Sequence, residues 1–317
     1  MTPPQPIVSE VEPLPPAARL LLERLPRGRR TRVVDVGANP LYPPPYAALL
    51  AAGACDLVGF EPDPEAFARL MANPTPGESY HPTAIGDGQG RQLRLYAHSG
   101  FNSVYDPYLP GPAFHGLGGW ETLRGTLDLP TTRLDDLPGL APVDLLKIDI
   151  QGGELDALKG GASVLAKTGV VIIEQRFFPL YQGEPLFAEV DLELRRQGFR
   201  LHKFLQPTAR PVASSQGHRL QRRKVRDQLI DGDCVYLRDL SRPEAIGAEE
   251  LAQMCLLAAS VFSSHSVVIH LLDRLVERGA APADLAEAYV DALPAELLAP
   301  AKGPARRMRD EETELRT

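Results

Sequence analysis

Two short apolar runs constrain this chain more than any other feature. Val143–Ile150 (VDLLKIDI) and Gly169–Glu174 (GVVIIE) are near-continuous hydrophobic segments bounded by turn signals, with a helical stretch, Glu154–Ala166, between them. A strand that is apolar on both faces is buried on both faces. Such strands belong to parallel sheets whose crossovers lay helices on either side. The alternation repeats upstream as strand Arg32–Val36, helix Tyr46–Ala52, strand Asp56–Glu61 and helix Pro64–Met71, the last with proline in its first turn. Tyr80–Ile85 and Gln92–Ala97 read as strands around the turn GDGQG, and GTLDLPTTRL as another. The helix Glu184–Gln197 precedes strands Phe199–Phe204 and Asp233–Arg238, which have no helix between them and so predict one antiparallel edge strand. The expected class is α/β, a mostly parallel sheet with helices on both faces.

This alternation occupies 31–240. Residues 1–30 form a Pro-rich segment with a short helix over Ala17–Leu25, 241–298 turn helical, and 299–317 read as a charged flexible tail. The net charge of −7 argues against a protein that neutralises long stretches of nucleic-acid phosphate. Three cysteines, far apart and in no CxxC pattern, read as reduced buried thiols of a cytoplasmic protein. The N-terminus lacks the basic and apolar regions of a signal peptide. Leu256–Leu272, the longest uncharged apolar run, is interrupted by serines and histidines, so no membrane span is expected. The apolar C-terminal helices read either as internal packing or as a homodimer interface.

Ligands of open α/β sheets bind at the carboxyl ends of the strands. After the first strand comes Asp35-Val36-Gly37-Ala38-Asn39, where Gly37 lets backbone approach a ligand and Asp35 can accept from an ammonium group. After the second come Glu61 and Pro62, with the carboxylate placed to hold both hydroxyls of a ribose. A dinucleotide would need G-x-G-x-x-G to bring a helix N-terminus to its pyrophosphate, whereas this loop reads G-A-N-P-L-Y. A cofactor with a ribose and an amino-acid tail but no phosphate fits better, and S-adenosylmethionine is that cofactor.

The run LLKIDIQGGELDALKGG places Asp149 where donor and acceptor would meet. Asp149 could orient or deprotonate an acceptor hydroxyl, although a carboxylate with an ordinary pKa near 4 is a weak base. It could equally pair with Lys147 on the same strand face or cap the next helix. Gly152 and Gly153 make room for a tight turn, and Glu154 suits the helix N-terminus that follows. Glu174 ends the next strand, so Asp149 and Glu174 could together hold Mg²⁺, with electrostatic orientation of the substrate ahead of a metal.

With these motifs the chain resembles the FkbM family of S-adenosylmethionine-dependent methyltransferases. The matching blocks are DVGANP, GFEPDPEAFARL, AIGDG, TTRLDDL, VDLLKIDIQGGELDALKGG and VVIIEQRFFPLYQGEPLF, spread over Arg32 to Asp239. The resemblance implies a Rossmann-like class I fold with a seven-stranded sheet, carrying here a small C-terminal helical appendage. It also implies O-methylation of a sugar, glycolipid or natural product. Carried over, Asp35, Gly37, Ala38 and Asn39 would line the methionine end, Glu61 the ribose, and Ala84 and Ile85 the adenine. Asp149, Gln151, Gly152 and Glu154 match the second diagnostic block. Leu41 stands where many members have a second glycine, and the loop here is longer and Pro-rich.

Asn102 and Ser103 in GFNSVYDPY, and His115 and Trp120 in residues 114–120, fall where substrate-side loops are expected. His115 is the candidate general base, with a surface or loop-packing histidine as its other reading. Arg222 and Arg223, in the cluster Arg219–Arg226, read as a solvated loop or as the grip for an anionic group on a small-molecule or glycan acceptor. Two other functions compete. Pro-Pro-Tyr (Pro44–Tyr46) resembles the signature of nucleic-acid amino-methyltransferases, but theirs follows the fourth strand, where this chain has Asp149-Ile150-Gln151-Gly152. The other is a catalytically silent scaffold acting through its C-terminal helices.

Overall fold

The two apolar runs form neighbouring central strands of a seven-stranded sheet. The computed structural model describes residues 11–300 apart from Leu117 and Ala141. Its strands are β1 (Thr31–Val36), β2 (Cys55–Phe60), β3 (Glu78–His81), β4 (Ala84–Ile85), β5 (Gly90–Tyr96), β6 (Leu123–Thr132), β7 (Val143–Ile148), β8 (Thr168–Arg176), β9 (Phe199–Arg210) and β10 (Gln228–Arg238). Its helices are α1 (Pro16–Arg24), α2 (Ala47–Ala51), α3 (Pro64–Met71), α4 (Pro110–Phe114), α5 (Glu154–Lys159), α6 (Ala162–Leu165), α7 (Phe187–Arg196), α8 (Ala248–Ser260), α9 (His265–Glu277) and α10 (Leu285–Asp291). The sheet order is β3-β2-β1-β7-β8-β10-β9, with β10 running against both of its neighbours. This is the Rossmann-like class I arrangement. The strands β4, β6 and β5 make a separate three-stranded sheet.

Four details differ from the sequence reading. The antiparallel strand is β10, inserted between β8 and β9, and the edge strand is β9. These two strands are longer than the expected Phe199–Phe204 and Asp233–Arg238 and pair along most of their lengths, which confines the connection between them to 211–227. The segment Tyr80–Ile85 divides at Pro82, which has no N–H to give a ladder. The helix over Glu154–Ala166 breaks at Gly160–Gly161, where a Cβ on Gly160 would lie 2.1 Å from the Gly86 carbonyl oxygen. Residues 1–10 of the Pro-rich segment and residues 301–317 of the tail lie outside the described residues.

Strand alternation sends side chains to two cores. Val34, Leu146, Val171 and Tyr236 pack with α5, α6 and α7 on one face. On the other face Val33, Leu145, Ile172 and Val235 pack with α1, α8, α9 and α10. The crossover helix α2 has only five residues, and α8, buried continuously from Leu251 to Ala259, covers much of this face. Gly169 allows the approach, since a Cβ there would lie 2.8 Å from Met254 Cγ. The Thr31 hydroxyl donates to Gln253 at 2.7 Å, fixing the helix to the start of β1. The C-terminal helices thus bury their apolar faces inside the chain. All three cysteines are free and buried.

Candidate active site

A cavity of about 1110 Å³ runs along the carboxyl edge of the sheet, from Glu61 after β2 to Gln206 and Thr208 on β9. Its floor is set by the mutual approach of two turns. Gly37 has φ +86°, and a Cβ there would fall 1.9 Å from the carbonyl oxygen of Asp149. The Asp149 N–H donates to Val36 O at 2.9 Å, and the Gly37 N–H to Phe60 O at 2.9 Å. The close approach that Gly37 permits is therefore to Asp149, locking the β1 and β7 turns together.

Above this lock sits a row of charge. Asp35 is 2% exposed and accepts from the Tyr46 hydroxyl at 2.5 Å and from Lys147 Nζ at 3.3 Å. Lys147 Nζ also lies 3.8 Å from Asp149 Oδ2. Burial raises the Asp35 pKa, against Lys147 and Tyr46, which favour the charged form. Burial also works to raise Asp149, but Lys147, the Gln151 amide and Arg176 together hold it below the ordinary carboxylate value. Asp149 is ionised at neutral pH. As a base it is weaker than a free aspartate.

Gln151 is the hub of the next shell and, at φ +55°, one of two non-glycine residues in the left-handed region among those described. Its amide nitrogen donates to Asp149 at 3.0 Å and to Glu174 at 2.6 Å, while its oxygen accepts from Arg176 at 2.5 Å and from the Tyr181 hydroxyl at 3.2 Å. Arg176 can only donate and a carboxylate accepts, so the amide orientation is fixed by chemistry. Arg176, 3% exposed, pairs with Glu174 and Asp231 at 2.9 Å each and with Glu184 at 3.5 Å. Burial drives Glu174 well above the usual range, with Arg176 opposing and Asp149 adding to the shift. The Glu154 carboxylate, pushed up to about 7 by burial, takes the N–H groups of Ile150 and Gly152 and so folds the turn that presents Gln151.

At the opposite end Glu61 is 5% exposed, and one of its oxygens accepts from Asp63 N at 2.9 Å. Burial pushes it up to about 7. Asp63 caps α3 by accepting from Glu65 N. Residues 39–46 all line the cavity, so the three prolines form part of its wall and deliver Tyr46 to Asp35.

The sequence profile of the Methyltransferase FkbM domain matches residues 35–201, just over half of the chain and all the elements that build this floor. The chain belongs to the FkbM methyltransferase family. It is 35% identical over 144 residues to the 2-O-methyltransferase NoeI of Sinorhizobium fredii (strain NBRC 101917 / NGR234), a match covering 42% of this chain and 59% of that protein. The chain thus spans little more than half the length of that relative. Looser likenesses, at a TM-score of 0.34, join it to two solved structures. The magnesium protoporphyrin IX methyltransferase of Synechocystis PCC 6803, solved with bound SAM, is 11% identical, covering 70% of this chain and 76% of that one. A TehB-like SAM-dependent methyltransferase from Corynebacterium glutamicum is 14% identical, covering 71% and 88%.

In this FkbM domain the cavity brings together Asp35, Gly37, Ala38, Asn39, Glu61, Pro62, Ala84, Ile85, Asn102, Asp149, Gln151 and Glu174. Asn102 is tied down, accepting from Tyr96 N at 2.9 Å and donating to Asp63 at 3.0 Å. Five expectations are corrected. Ser103 is fully buried and donates to the Gln151 carbonyl at 2.6 Å, so it supports the floor from behind. Trp120 packs among Tyr96, Phe101 and Tyr181, away from the cavity lining. His115 is 1% exposed and wedged edge-on against Phe114 and Phe178, with burial lowering its pKa, and it is not part of the cavity lining. Arg222 donates to the His115 carbonyl at 3.1 Å, and neither it nor Arg223 lines the cavity.

The expected anionic acceptor thereby loses its basic grip. The Mg²⁺ alternative fares no better, since Gln151 bridges Asp149 and Glu174, and Arg176 already neutralises Glu174. No group of three or more metal-ligating side chains occurs among the described residues. Nor is any described helix long and apolar enough to cross a membrane. Sequence reasoning missed Tyr46, Arg176 and Asp233. The available signal was strand parity, which puts Asp35, Lys147, Glu174 and Asp233 on one face at one end of the sheet.

Proposed function

We propose that this FkbM methyltransferase uses S-adenosylmethionine to methylate a hydroxyl of a sugar, glycolipid or natural-product acceptor. The observation that carries the cofactor is Glu61, a buried carboxylate lining the cavity with one oxygen held by Asp63 and the other taking no hydrogen bond from the described residues. Such an oxygen suits a ribose hydroxyl. Asp35 and Asn39 would hold the amino-acid end, and Ala84 and Ile85, both 6% exposed, would face the adenine. Bound there, the sulfonium supplies an electrophilic methyl group and a good leaving group.

The protein's own contribution is placement. The Gly37–Asp149 lock fixes the floor, and Gln151 and Arg176 fix the orientation of Asp149 and Glu174 toward the acceptor. Proximity of this kind can supply a large share of a transfer rate. Support for oxygen as the acceptor atom comes from NoeI, a 2-O-methyltransferase.

Calorimetric titration tests the cofactor. S-adenosylmethionine should bind, and Glu61→Gln should weaken it by about one to two orders of magnitude through loss of charged hydrogen bonds. With Glu61 titrating near 7, affinity in the wild type should fall as pH drops from 8 to 6, and Glu61→Gln should flatten that dependence. Equal binding by the two proteins would remove the ribose role.

A further inference from the structure

The cavity extends past the residues assigned to the cofactor. Four strand steps separate β2, with Glu61, from β10, roughly 19 Å at the usual spacing. This far end is built by β10 and β9 together with Val261 after α8. The FkbM match ends at residue 201, so nearly all of this end belongs to sequence outside it.

Among the acids that line the cavity, one stands apart. Asp149 and Glu174 share the Gln151 amide, Asp231 holds Arg176, and Asp35 holds Tyr46. The acids at the cofactor end are likewise bonded to Asn102, Arg91, Thr75 or backbone N–H groups. Asp233 alone accepts no hydrogen bond from the described residues, although it is partly buried and lines the cavity. It pairs across the ladder with Glu174 and shares its sheet face with Val235, hence with Lys147 and Asp35. A cavity-lining carboxylate with no protein donor is free to accept from a ligand.

We propose that Asp233 is the acceptor-binding carboxylate of this enzyme, taking a hydrogen bond from the hydroxyl to be methylated and removing its proton during transfer. The transfer forms the acceptor O–CH₃ bond, breaks the donor S–CH₃ bond with its electron pair left on sulfur, and releases one proton, which the Asp233 carboxylate takes. Burial raises the pKa of Asp233, with Asp149, Asp231 and Asp35 adding to the shift and Lys147 opposing it. Glu174 faces it from β8 and Gln206 from β9. Asp233 is therefore a better base than Asp149, whose pKa is lowered. The acids of the cavity outnumber its two cations, Lys147 and Arg91, both held in ion pairs. The acceptor that fits is a hydrogen-bond donor carrying no anionic group beside the reacting hydroxyl.

This inference rests on the methyltransferase reading, so cofactor binding is measured first. Wild type and Asp233→Asn should bind S-adenosylmethionine equally, and failure of the wild type to bind breaks that reading instead. With S-adenosylhomocysteine bound, a set of neutral methyl hexopyranosides and their 6-phosphates is then titrated, and labelled-methyl transfer is followed for each. Neutral members should bind and react, with the phosphates at least about tenfold poorer from like-charge repulsion. At saturating S-adenosylmethionine, which removes the Glu61 contribution, Asp233→Asn should lower kcat/KM for the acceptor by about 100-fold and abolish the acid limb of the pH profile, since the base is lost as pH falls through its raised pKa. It should also raise the thermal midpoint by about 2 °C, because a partly buried charge with no hydrogen-bond donor, set among other acids, is removed. Asp233→Ala serves as the second variant. Wild-type turnover and pH profile in both variants, a lowered midpoint in Asp233→Asn, phosphates accepted as well as neutral sugars, or no binding of any neutral glycoside would each overturn the assignment.

Discussion

The two ends of the cavity hold their functional groups by different means. Around β1 and β7 the fixing is done by backbone: Gly37 and Asp149 touch, and no side chain could be added between them. Around β8 and β10 it is done by charge, with one buried guanidinium, Arg176, answering three acids. Backbone contact gives a floor that cannot shift without unfolding its turn. A charge cluster gives a wall whose strength depends on protonation. The first suits a cofactor that is the same in every turnover, and the second an acceptor site adapted to one substrate.

Breaking the backbone end should have the largest effect. Gly37→Ala combines a left-handed φ with a Cβ inside van der Waals distance of Asp149 O, so urea unfolding should show a loss of at least about 3 kcal/mol. A loss below about 1 kcal/mol would mean that the two turns separate easily. Next is Arg176→Met, which strands Glu174, Glu184 and Asp231 and should cost about 3–5 kcal/mol at pH 8. The sign with pH follows from the acids. Once unpaired, their folded-state pKa values rise, the penalty applies above those values, and it fades as they take up protons. The deficit measured by denaturation at pH 5 should therefore be smaller than at pH 8. A deficit independent of pH would mean that Arg176 acts by packing alone.

The finest contrast lies two residues apart on one strand. Asp231→Asn removes a partner of Arg176 and should lower stability by about 1–2 kcal/mol, whereas Asp233→Asn should raise it slightly. Thermal melts of the two variants under one condition compare them directly. The same sign for both would dissolve the distinction between paired and unpaired acid.

Much of the fold was legible because the decisive residues act locally. The apolar runs of β7 and β8 announce burial on both faces, and Asp63 followed by Pro64 marks the start of α3 as found. The proposed cofactor end could be read the same way, since Asp35, Gly37 and Glu61 sit at or just past the ends of β1 and β2. The proposed acceptor end could not. Which acid meets Arg176, and which meets nothing, depends on β10 inserting between β8 and β9, a pairing of segments far apart in the chain. His115 misled because its place in the chain is that of a substrate-side loop, whereas Phe114 and the distant Phe178 enclose it.

The place of β10 also sets an order of assembly. Strand β9 touches no other strand of the main sheet except β10, and α8, which roofs one face, follows β10 in the chain. A nascent chain that has emerged only as far as β9 therefore has β8 as a raw edge and one sheet face covered only by α1 and α2. Its last-made segments must thread an antiparallel strand into that edge and then close the roof. Synthesis from the N-terminus thus completes the proposed cofactor end first and the proposed acceptor end last.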